Sequence, residues 1–168
     1  ALAFGGTIVS LRLLPYAFLR FIAWLLAHSL YRIRVLNEER LPARGGALLL
    51  VNHVSWVDAL ILQATTRRGM HFLMFRAYYE WWPMHWLYKL AGCIPVASGD
   101  DPALTRESLR RAGEFLDQGK LVVIFGEGAV TQLGHMLPFR TGYRRVIEGR
   151  QAPIIPVHLG GLWGSILS

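Results

Sequence analysis

Near the end of its first third the chain reads Ala47-Leu48-Leu49-Leu50-Val51-Asn52-His53-Val54-Ser55-Trp56-Val57-Asp58. Five apolar residues run without a break and then give way to polar ones. Such a run predicts a buried strand, and the polar residues behind it fall at the strand's carboxyl end, where open α/β sheets bind their ligands. A carboxylate can accept the proton of one imidazole nitrogen and fix the tautomer. The other nitrogen is then free to take a proton from an attacking hydroxyl. The interval from His53 to Asp58 predicts two side chains that meet across one helical turn. Capping and surface groups also produce such pairs, so the rest of the chain must support a catalytic reading.

Downstream, a helix is predicted from Trp56 to about Thr66 and a second strand over 70–74. An aromatic-rich helix follows over 78–90, with Pro83 in its first turns, where proline is tolerated. Ile94-Pro95-Val96 is a short extended piece. Asp100-Asp101-Pro102 opens a helix with acidic residues at its positive end, and Gly119 closes it. Leu121-Val122-Val123-Ile124-Phe125 is the clearest strand, and Gly126-Glu127-Gly128 follows at once. A short basic helix is predicted over 139–147 and a last strand over 153–159. Upstream, Ile33-Arg34-Val35 reads as a short strand and 37–46 as a polar loop. Strands alternating with helices predict βαβ units and a mainly parallel sheet.

The 168 residues suffice for one domain with a core. The chain starts without methionine inside an apolar segment, and the expectation is a piece of a longer protein. Its one cysteine, Cys93, excludes an internal disulfide and reads as packing. The formal net charge is +7, yet 53% of residues are hydrophobic. Nucleic-acid binders are basic and polar, with Lys/Arg clusters. Here the basic residues interleave with apolar ones, as in Tyr31-Arg32-Ile33-Arg34, which points to an anionic membrane surface or an acidic protein partner.

The stretch from Leu11 to Tyr31 is apolar and long enough to span a bilayer, but Arg12, Pro15, Arg20 and His28 interrupt it. Arg20 is costly at a bilayer centre. The expectation is a helix lying in the membrane interface, its arginine heads snorkelling and Trp24 at headgroup level; the alternative is a helix packed on the domain's own core. No small-residue cleavage site follows, so it is not a signal peptide.

Two strand ends thus carry polar residues: His53 with Asp58, and Glu127 between two glycines. The glycines allow a tight turn and close backbone approach, and exposed N–H groups there can hold an oxyanion or a phosphate. Glu127 can bind substrate hydroxyls, order basic residues nearby, or serve only as a turn carboxylate. Arg140 and Arg144 stand four apart, on one face of the predicted helix, and can clamp a phosphodiester. His135 and His158 read as structural. His53, Asp58, Glu127 and His158 lack the tight spacing of a metal site, and none is predicted. Ser55 lacks the G-x-S-x-G setting of a serine nucleophile.

Asn52-His53-x-x-x-x-Asp58, Phe125-Gly126-Glu127-Gly128 and Ile155-Pro156-Val157 resemble, in this order, the sequence blocks of the glycerolipid and lysophospholipid acyltransferases. The segments 30–35, 137–142 and 161–165 look more closely like the acyltransferase domain of bacterial 2-acylglycerophosphoethanolamine acyltransferases. The resemblance implies an αβα sandwich on a mainly parallel, mixed sheet over 33–168, preceded by the membrane-interfacial helix of 1–32. It implies acyl transfer from a thioester of acyl carrier protein or coenzyme A to a lysophospholipid hydroxyl, without a bound cofactor. His53 would be the general base and Asp58 would orient it. Glu127, Gly128, Arg140, Arg144, Asn52 and Ser55 would contact substrate. Fusion to a transporter and an acyl–acyl-carrier-protein synthetase, on the cytoplasmic face of the inner membrane, is implied too; nucleic acid is not a partner.

The sequence departs from the family pattern at Gly126, where proline is usual, at Ala129, and in the absence of arginine around 92–96. With the usual phosphate arginines missing, the expected acceptor is a diester, lysophosphatidylethanolamine, with Arg140 or Arg144 supplying positive charge. The alternatives are lysophosphatidate as acceptor, or a non-catalytic lipid-binding or transporter-coupling module, which the altered third block favours.

Overall fold

The computed structural model describes residues 2–97 and 101–165, with side chains from residue 16 onward. Asp100 of the predicted helix start and the closing Ile166-Leu167-Ser168 lie outside the described residues.

The strand read first is β1, Ala47–Val51, and every residue of it is buried. The other strands are β2 (Met70–Phe75), β3 (Ile94–Val96), β4 (Leu121–Phe125) and β5 (Ile154–Val157). Among the described residues they form one sheet in the order β3-β2-β4-β1-β5. All four pairings are parallel, so the antiparallel element of the expected mixed sheet is not found. Central β1 and β4 are continuous apolar runs because both faces of a parallel sheet are covered. Pro95 sits on edge strand β3, where its missing N–H breaks no ladder.

Successive strand side chains point to opposite faces, and the core divides accordingly. Ala47, Leu49, Val51, Phe72 and Val123 pack on one face with Leu62 of α2 (Asp58–Ala64). Leu48, Val122 and Ile94 pack on the other with Leu109, Ala112 and Leu116 of α5 (Pro102–Asp117) and Val146 of α6 (Tyr143–Ile147). This is the expected αβα layering. Asp101 caps α5, its carboxylate accepting the Ala103 and Leu104 N–H groups. Gly119 follows its end at φ 75°.

Four sequence expectations are corrected. The aromatic stretch forms two helices, α3 (Arg76–Tyr79) and α4 (Trp82–Leu90). Pro83 has no N–H and its ring would strike the Tyr79 carbonyl, so it can open a helix but not continue one. The basic helix is confined to Tyr143–Ile147, which leaves Arg140 in the loop before it. Residues 33–35 join no strand ladder. Helix α1, Leu2–Leu30, lies along α2 with Ala23 and Ala27 buried. Arg20 does not snorkel: its Nη2 donates to the Thr66 carbonyl at 3.2 Å. Phe18, Phe21, Trp24, Leu25 and Leu30 of α1 are exposed. Among the described residues no helix is long and apolar enough to cross a membrane.

Candidate active site

The carboxyl ends of β1 and β4 lie side by side, with Val51 in register with Phe125. The two polar segments that leave them therefore meet. His53 Nδ1 is 2.7 Å from Asp58 Oδ2. A carboxylate only accepts, so Nδ1 carries the proton and Nε2 is left as the basic nitrogen. His53 is not on a helix. It lies in the turn before α2, and Asp58 is the first residue of that helix, so the pair meets across this turn rather than along one helical face.

Asp58 organises the turn. Its Oδ2 also accepts the N–H groups of Val54, at 2.7 Å, and Ser55, at 3.0 Å. The side chain is 0% exposed, against 19% for His53, so the histidine is the member of the pair that solvent or substrate can reach. Phe125 stacks on the imidazole with ring centroids 4.0 Å apart and fixes its plane.

Glu127 is buried and bridges two loops: Oε1 accepts the His53 backbone N–H at 2.7 Å, and Oε2 accepts that of Leu137 at 2.8 Å. The Thr131 N–H donates to the His53 carbonyl at 2.9 Å, so both backbone groups of His53 are held from the β4 side. The glycine amides expected to face a ligand are already used: Gly126 donates to the Val51 carbonyl and Gly128 to that of Phe125. Gly128, at φ 70°, leaves the space taken by Arg140; a Cβ there would lie 2.8 Å from Arg140 Nε. This brings Arg140 to the Glu127 loop. Arg144 lies exposed on α6, and the shared helix face expected for the two arginines does not form.

Asn52 and Ser55, expected at the substrate, are both buried. Asn52 donates through Nδ2 to the Leu159 carbonyl and accepts the Leu159 N–H through Oδ1, tying the end of β1 to the segment after β5. Ser55 Oγ accepts the Val57 N–H at 3.4 Å inside the turn. Phe125 and Thr131 were not among the sequence candidates. Parallel register between β1 and β4 would have pointed to Phe125; nothing local marks Thr131. Among the described residues no three His, Cys, Asp or Glu side chains are placed to share a metal ion.

The model of the family described as Acyltransferase matches residues 32–160. A 1-acyl-sn-glycerol-3-phosphate acyltransferase of Bacillus subtilis (strain 168) is 25% identical over 133 residues, which cover 77% of this chain and 63% of the relative. One of Cocos nucifera is 26% identical over 144 residues, covering 84% and 44%. The chain thus spans less than two thirds of the length of these relatives. The crystal structure of a 1-acyl-sn-glycerophosphate (LPA) acyltransferase from Thermotoga maritima superposes with TM-score 0.71 at 18% identity, over 89% of this chain and 59% of that one. At that identity the likeness concerns the fold alone.

Proposed function

Because the chain belongs to the Acyltransferase family, we propose that this acyl-transferring enzyme moves a fatty acyl group from an acyl thioester to the free hydroxyl of a lysophospholipid, with lysophosphatidate as the preferred acceptor. The carrying observation is the His53–Asp58 pair, which leaves Nε2 basic beside the ends of β1 and β4. The acceptor hydroxyl attacks the thioester carbonyl carbon while its proton passes to Nε2. The C–S bond then breaks, and the proton goes from Nε2 to the leaving thiolate. Asp58 stabilises the imidazolium between the two transfers. No acyl-enzyme is required.

Lysophosphatidate replaces the lysophosphatidylethanolamine expected from the sequence for two reasons. The relatives are named for 1-acyl-sn-glycerol-3-phosphate. Arg140, expected from the sequence to serve a diester, lies against Gly128 beside the Glu127 loop, where one guanidinium can meet a phosphate. A phosphate monoester suits a guanidinium better than a zwitterionic head group does.

The test sets both acceptors against acyl-coenzyme A and acyl–acyl carrier protein, with wild type and His53→Ala side by side. Faster turnover of lysophosphatidate, lost at least about a hundredfold in His53→Ala, supports the reading. Faster turnover of lysophosphatidylethanolamine restores the diester acceptor. No turnover of either by wild type, with lysophospholipid still bound, means a binding module.

A further inference from the structure

An aromatic surface outside the catalytic machinery is left unexplained. Helices α3 and α4 form a hairpin directly after β2, at the same end of the sheet as His53. Along it Trp82 is 87% exposed and Trp86 64%, and Trp81, Tyr78 and Phe75 are exposed too. Trp56, inside the His53–Asp58 turn, is 60% exposed and meets Tyr78 edge-on, ring centroids 5.3 Å apart. Tyr78 in turn meets Phe75 at 5.8 Å. Through Tyr78 the start of the hairpin thus touches the turn that carries His53. A shallow cavity of about 370 Å³ opens between Trp82, Trp86, His85 and Glu80.

Folding does not stabilise this arrangement, since most of each indole stays in water. Contiguous exposed apolar patches mark interaction surfaces. Two partners suit the chemistry of this domain: a bilayer, or an acidic carrier protein. The carrier would need free cations on the patch. Its guanidinium, Arg76, is already paired with Glu80 at 2.7 Å. The rest of the hairpin adds a single cation, Lys89 in the last turn of α4, too few for an acidic protein surface. A Trp-rich ridge with one ion pair and one lysine, on a chain of net charge +7, matches the headgroup layer of an anionic bilayer, where indoles keep their N–H wet and their rings in apolar surroundings.

We propose that the α3–α4 hairpin, with Trp56, seats the domain in the interface of an anionic phospholipid bilayer and brings His53 to the membrane beside it. The proposal rests on the lipid acceptor of the preceding reading. It gives Trp56 a role within the catalytic turn: it couples the bilayer-facing hairpin to the segment carrying His53.

The experiment measures binding of the 168-residue chain to phosphatidylcholine vesicles with and without phosphatidylglycerol. Wild type is compared with Trp82→Ser/Trp86→Ser and, as a variant that keeps apolar rings, Trp82→Phe/Trp86→Phe. The serine chain is expected to bind anionic vesicles about tenfold more weakly or worse. Lipids brominated near the headgroup should quench wild-type tryptophan emission, and quenching should fall in the phenylalanine chain while binding persists. Equal vesicle binding by wild type and the serine chain, or quenching unchanged in the phenylalanine chain, overturns the proposal. So does loss of acyl carrier protein binding in the serine chain with vesicle binding intact. Turnover of a short-chain lysophosphatidate dispersed in water is read separately. Its absence in wild type counts against the proposed function, whereas the vesicle result alone decides the hairpin.

Discussion

Glu127 Oε1 accepts the backbone N–H of His53 at 2.7 Å, across 74 residues of sequence. The carboxylate that follows β4 thereby fixes the residue that follows β1, while its second oxygen holds Leu137. Replacing Glu127 with alanine leaves two N–H groups without their acceptor. A drop in stability of about 2 kcal/mol or more is expected, with loss of acyl transfer because His53 is no longer held. Urea unfolding and turnover on the same sample check this; an unchanged midpoint would remove the bracing role.

Asp58 does two jobs through one oxygen, holding the imidazole and gathering the Val54 and Ser55 N–H groups. In Asp58→Asn an amide oxygen can occupy that position, but the negative charge is gone. The NH₂ group then falls where Oδ1, buried without a partner among the described residues, now lies. The expected outcome is a modest stability loss of about 1–3 kcal/mol and a fall in turnover of about a hundredfold or more. Turnover near wild type would show that Asp58 is only a brace.

Gly126 has a steric reason to be glycine in this chain. A Cβ at Gly126 would lie 2.6 Å from the Phe139 ring, and the Gly126 N–H donates to Val51 at 2.8 Å. Gly126→Ala should cost about 1–3 kcal/mol by overpacking, and Gly126→Pro more, because the hydrogen bond goes too. Combining Gly126→Ala with Phe139→Leu should recover part of the loss. An additive double variant would mean that the two sites do not press on each other.

His71 stacks on Phe115 and lies beside the Gly92 carbonyl. Burial, with a smaller contribution from Lys120, holds its pKa below the ordinary value despite that hydrogen bond. The folded state therefore binds the proton less readily than the unfolded one. The stability contributed by neutral His71 is present above the unfolded pKa of about 6.5 and is lost as pH falls below it. Melting temperature should decline through this range, and His71→Phe should flatten the decline. Parallel profiles for the two chains would count against it.

Cys93 packs against the α2-side core, and burial pushes its thiol up to about 11. At neutral pH it is protonated and shielded. Alkylation by iodoacetamide should be slow in buffer and fast in denaturant. Rapid modification of the native chain would contradict the packing role read from the sequence.

The central strands were legible because burial on both faces of a parallel sheet leaves an unbroken apolar run, as in β1 and β4. The start of α5 was legible from Asp101 and Pro102, because capping and first-turn chemistry are local. The extent of α6 was not. Gly142 is a local breaker just before the helix start, but what holds Arg140 in the loop is its N–H on the Gly126 carbonyl, a contact from another strand end.

By itself the sequence determined the alternation of strands and helices, the residue types His53, Asp58 and Glu127, and their positions just past strand ends. These follow from hydrophobic periodicity and turn chemistry, which act over a few residues. Only the tertiary structure decided what those residues face. Parallel register sets Phe125 beside His53 and brings Glu127 onto its backbone N–H, and the close approach at Gly128 brings in Arg140. It also paired the Gly126 and Gly128 amides and the Asn52 side chain with backbone partners. The reason is that a buried polar group must find a partner wherever the fold supplies one, and local sequence does not say which strand end will come alongside.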